Sequence, residues 1–128
     1  MIDSFDTVIR LKTAVTDPLH RGMKTDVICS RHAKHEQPGA RFWLYPDCAS
    51  DWTPYWHKYS RHPKPSTGLS AIFCAAELLK PSAIALIGFD HVLHPNPEHP
   101  NHKWGHDSSG EHAAVMGLGI EIIDLGMQ

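Results

Sequence analysis

The feature that most constrains the fold is a helix-shaped apolar face running directly into a continuous apolar strand. Leu69, Ile72, Phe73, Ala76 and Leu79 recur at the spacing of one helix face. Pro81 then ends the periodicity, and Ala83-Ile84-Ala85-Leu86-Ile87 follows as an unbroken apolar run. Such a run predicts a strand covered on both faces, as in parallel sheets. A further helix is expected from about Ser109 to Leu118, and a closing strand over Ile120 to Leu125. Helix, strand, loop, helix, strand is the alternation of crossover connections, which favours parallel strands with helices packed on them.

The first half supplies more strands. Phe5 to Leu11 alternates apolar and polar residues and predicts a strand, and Asp26 to Ser30 and Arg41 to Tyr45 read as a second and a third. Polar loops with Gly22 and Pro38-Gly39 separate them. Trp52, Tyr55, Trp56 and Tyr59 stand at helix-like spacing within residues 50–59. An aromatic stripe of this kind reads first as core and second as a platform for an acceptor. The expected architecture is a three-layer α/β/α domain with a mostly parallel sheet, formed by residues 1–128 as one unit.

Composition narrows the function classes. The formal net charge of −2 provides no basic field for nucleic acid. No apolar run reaches the roughly 20 residues of a membrane span. The first residues carry neither a basic nor a hydrophobic leader segment, so a cytoplasmic chain is expected. Cys29, Cys48 and Cys74 are widely spaced and read as reduced thiols.

Chemistry gathers at two places. Ser66-Thr67-Gly68 opens the apolar helix, offering hydroxyls and first-turn amides to a phosphate or carboxylate. An ordinary helix cap explains the same residues. Ser108-Ser109-Gly110-Glu111 has capping-box spacing, which puts His106 just ahead of a helix start. The positive end of that helix disfavours imidazolium, so His106 is a candidate base. One loop histidine among many is the plainer reading. Arg10, inside a strand, serves either an anion or a structural ion pair.

Six of the 11 histidines lie between His91 and His112. His91 and His94, and His99 and His102, are three apart, but prolines break the tract and no metal-ligand motif is present. No resident metal is expected, and a lid over the site is the preferred role for the loop.

Three segments, in order, resemble the sialyltransferases. Ile2 to Arg10 resembles the later part of the family's long sialyl motif. Pro65 to Asp90 resembles the short motif, and His106 with Glu111, four residues between them, the very short motif. The likeness is to the animal-type family and, more loosely, to bacterial enzymes using the same donor. It implies a Rossmann-like fold that lacks the family's first strand and its Gly-Asn loop. It also implies transfer of sialic acid, or a related sugar acid, from a CMP-linked donor to a glycan or small hydroxyl acceptor with inversion, with no further cofactor. Ser66, Thr67 and Gly68 would contact the donor, His102 its phosphate, and His106 would be the base, with Glu111 in support. Lys12 stands where the family has asparagine, and His102-Lys103-Trp104-Gly105 matches the intervening motif in part. Two other expectations compete with it. One is a non-catalytic module that assembles with another chain or itself and exposes a sheet edge. The other is a histidine-rich metal-binding module.

Overall fold

The structure is a computed structural model that describes residues 2–11, 22–45, 51–95 and 106–126. It is a mixed α/β molecule with parallel strands in two small sheets. Strands β1 (Ile9–Leu11), β2 (Val27–Ser30) and β3 (Arg41–Leu44) form the first, in the order β1-β2-β3. Ile28 lies opposite Arg10 on one side and Phe42 on the other. All four residues of β2 are buried, as befits the middle strand. Strands β4 (Ala83–Leu86) and β5 (Glu121–Asp124) pair in parallel as the second sheet, with Ile84 opposite Ile122.

The described residues also form the α-helices α1 (Thr53–Trp56), α2 (Thr67–Leu79), α3 (Asp90–Leu93) and α4 (Ser108–Met116). α2 is the axis of the core. Every residue from Thr67 to Ala75 is buried, and Phe73 is wholly enclosed. Trp52 stacks on the Phe73 ring at 5.0 Å, and Tyr55 meets it edge-on at 5.7 Å. Trp56 is 1% exposed and donates its indole N–H to the His62 carbonyl at 2.8 Å. The Tyr55 hydroxyl donates to the Ala114 carbonyl at 2.7 Å, tying α1 to α4. The aromatic group therefore packs as core, with Trp56 buried and Trp52, Tyr55 and Tyr59 half-buried against it.

α2 ends at Leu79 because Lys80 adopts a left-handed conformation (φ 46°) ahead of Pro81. The proline disfavours a helical residue before it. Among the described residues no helix is long and apolar enough to cross a membrane.

Three expectations need correction. The first strand begins at Ile9 rather than Phe5, because side chains take the preceding backbone groups. Asp26 accepts the Val8 amide at 2.7 Å, and the Lys24 ammonium donates to the Phe5 and Asp6 carbonyls at 2.7 and 3.0 Å. β4 is not covered on both faces, since Ala83, Ile84 and Ala85 are only half-buried and Leu86 alone is buried. The strands also form two sheets, β1-β2-β3 and β4-β5, where a single sheet was expected. The last two corrections share a cause: β1 and β4 do not pair, and a cleft separates them.

Candidate functional site

The site is the junction between residues 60–66, which lead into α2, and residues 106–111, which lead into α4. Three contacts close it. The Ser60 hydroxyl donates to Asp107 Oδ2 at 2.5 Å. The His62 and His106 rings lie 5.8 Å apart, tilted by 53°. Ser66 donates its amide to Glu111 Oε2 at 2.9 Å and its hydroxyl to Oε1 at 2.6 Å.

The last pair is buried on both sides. Ser66 is the N-cap of α2, and its Oγ accepts the Leu69 amide at 3.2 Å. The hydroxyl proton thus goes to Glu111 while the oxygen lone pair takes an amide of the first helical turn. Glu111 has no solvent exposure and receives donors on both oxygens. Burial pushes its carboxyl above the ordinary range, against the pull of the two Ser66 hydrogen bonds. The Asp107 charge adds to the rise and His62 opposes it.

Glu111 does not close a capping box on Ser108. The N-cap of α4 is Asp107, whose Oδ1 accepts the Gly110 amide at 2.9 Å. With Asp107 serving that amide, the Glu111 side chain crosses to the start of α2. Gly110 is held glycine by this packing, since a Cβ there would stand 2.9 Å from Ser60 Cβ and 2.5 Å from Asp107 Oδ2.

The remaining site candidates fall in several places. Thr67 and Gly68 are the first two residues of α2, whose amides have no partner within the helix by its geometry. Gly68 also carries a packing constraint: a Cβ would meet Phe89 Cε1 at 2.8 Å. His106 is half-buried beside the junction. Arg10 is held elsewhere, donating to the Lys24 carbonyl at 2.8 and 3.0 Å and to Thr25 Oγ1 at 2.8 Å, which fixes the chain entering β2. His102, together with Lys12, Cys48, His99 and most of the histidine-rich loop, lies outside the described residues. His94 pairs with Asp124 at 2.7 Å on the surface, and His112 Nδ1 meets the Val92 carbonyl at 2.8 Å. Among the described residues no group of three or more His, Cys, Asp or Glu side chains converges on a metal position.

Ser60 and His62 escaped the sequence reading, and Asp107 entered it only as a neighbour of the histidine tract and part of the segment with His106 and Glu111. Their only signal is position: they flank the segments that carry Ser66 and Glu111, and nothing in their spacing shows that 60–66 and 106–111 meet. Comparison with protein-family models, with curated proteins and with solved structures gave no match.

Proposed function

We propose that this chain is a sialyltransferase-like glycosyltransferase domain that moves a sialic acid or related sugar acid from a CMP-linked donor to an acceptor hydroxyl. The observation that carries the reading is the Ser66–Glu111 pair. It joins the segment resembling the short sialyl motif to the one resembling the very short motif, so a helix N-terminus and a histidine share one corner.

In this reading His106 takes the acceptor proton as the acceptor oxygen attacks the anomeric carbon. The bond from that carbon to the phosphate oxygen breaks, and CMP leaves with the electron pair on the face opposite to attack, which inverts the centre. The Thr67 and Gly68 amides face the growing charge on the phosphate, where fixed donors are most effective. Ser66 and Glu111 hold the turn in shape, because both Ser66 donors are already engaged. His62 positions the neighbouring His106 ring. The chain acts as a cytoplasmic domain on a glycan or small hydroxyl acceptor, with no cofactor beyond the donor.

The test is transfer from a CMP-linked donor by wild type and by His106→Ala. The variant should keep its fold and lose about 10²-fold or more in rate, the typical contribution of a positioned base. Unchanged transfer by a folded His106→Ala protein would remove His106 from the mechanism.

A further inference from the structure

The donor in the proposed reaction carries two anionic groups on its anomeric carbon, the phosphate that leaves and the carboxylate that stays. The α2 amides answer the first. The second needs a charged donor of its own, and the planar fork of an arginine matches a carboxylate best.

Arg31 stands where such a group is required. It directly follows Ser30, the last residue of β2, the middle strand of the first sheet. Parallel α/β sheets take ligands beyond the carboxyl ends of their strands. The neighbouring strand β3 ends at Leu44, and Tyr45 after it is buried. The Arg31 guanidinium carbon lies over the Tyr45 ring, 5.3 Å from its centre. From the same ring the Tyr45 hydroxyl donates to the Pro65 carbonyl at 3.4 Å, one residue before the Ser66 cap. A single aromatic side chain therefore connects Arg31 to the entry of α2, where Thr67 and Gly68 begin the helix.

The backbone holds the arginine in place. The Tyr45 amide donates to the Ser30 carbonyl at 2.8 Å, and the His32 amide donates to Ser30 Oγ at 3.2 Å. Ser30 Oγ also meets His35 Nδ1 at 2.5 Å, which closes the short 3-10 turn of Ala33–His35 onto the strand end. The chain on both sides of Arg31 is thus anchored to the buried Ser30. A guanidinium seated on a ring keeps its charge and has less rotamer freedom left to lose when it meets an anion. Arg61 and Lys64 also stand on the approach to α2, and of the three Arg31 is the one seated on an aromatic ring.

We propose that Arg31 recognises the carboxylate of the donor's sugar acid, and so selects a CMP-linked sugar acid over a CMP-linked neutral sugar. The inference rests on the glycosyltransferase reading and names the specificity residue of that same site.

The experiment measures binding of CMP, of CMP-linked sialic acid and of its methyl ester by calorimetry, without acceptor. Wild type is compared with Arg31→Ala and Arg31→Lys. Arg31→Ala should weaken the acid donor tenfold or more, the size of a lost charge-assisted contact, and leave CMP within twofold. Against the methyl ester, whose charge is removed, wild type and Arg31→Ala should differ by threefold or less. Arg31→Lys keeps the charge without the fork and should recover only part of the loss. Arg31 is exposed, so the urea midpoint of the alanine variant should match wild type. Wild-type affinity of Arg31→Ala for the acid donor, with CMP still bound, would overturn the inference and leave the donor reading standing. Equal loss of CMP and acid donor would also overturn it, because Arg31 would then serve the phosphate. A wild-type chain that takes up neither CMP nor the donor would overturn the donor reading and this inference with it.

Discussion

Glu111 is the most consequential single residue described. It is a fully buried carboxylate whose two oxygens hold the amide and hydroxyl of one serine 45 positions earlier. Removing it leaves both Ser66 donors facing a void. Glu111→Ala should therefore cost about 2–5 kcal/mol, at the upper end for a buried pair of charge-assisted bonds, measured by urea unfolding. The pH dependence has a definite sign. The folded-state pKa of Glu111 is raised, so the folded protein holds this proton more tightly than the unfolded chain does. The associated stability is complete below the ordinary carboxylate range and is lost as pH rises through the raised value. Wild type should thus lose stability relative to Glu111→Gln as pH rises above about 4.5, and a flat difference would contradict the assigned shift. Asp124 behaves oppositely: the hydrogen bond from His94 and the Gly126 amide hold its carboxyl below the ordinary range. Its contribution is lost as pH falls through that lowered value.

The elements show how far local sequence reaches. α2 was legible because its apolar spacing, Ser66 cap and Pro81 stop agree with one another. Its left-handed terminus at Lys80 was not, since no glycine marks the position. Lys80→Gly should relieve that strain and stabilise the protein by roughly 0.5–1 kcal/mol, read as a higher urea midpoint. The start of α4 was legible to within a residue, but its cap was misassigned: Asp107 and Ser108 are both good caps, and the choice follows from where Ser66 draws Glu111. The apolar run of β4 correctly signals a strand, but the cover on both faces that it predicts does not form over Ala83–Ala85. What lies beside it is a matter of pairing, and local pattern does not encode pairing. Phe73, by contrast, sits where the helix period and the aromatic stripe both point. Phe73→Ala should cost about 3–5 kcal/mol, because the stacked Trp52 and edge-on Tyr55 rings lose their common partner.

For the molecule as a whole, two separate places carry the interest. One is the junction of 60–66 with 106–111, where residues far apart in sequence meet through Ser60, His62, Ser66 and Glu111. The other is the cleft between β1 and β4, lined by residues of both sheets and of α2. The meeting of Ser66 with Glu111 and the separate pairing of β1-β2-β3 and β4-β5 are tertiary facts that no single segment encodes.

The most direct test of the functional reading is calorimetric titration of the purified chain with CMP, with UMP as the control. The account predicts saturable binding at one site, selective for the cytosine nucleotide and retained in His106→Ala. A folded sample that takes up no CMP, or that binds CMP and UMP alike, would contradict it.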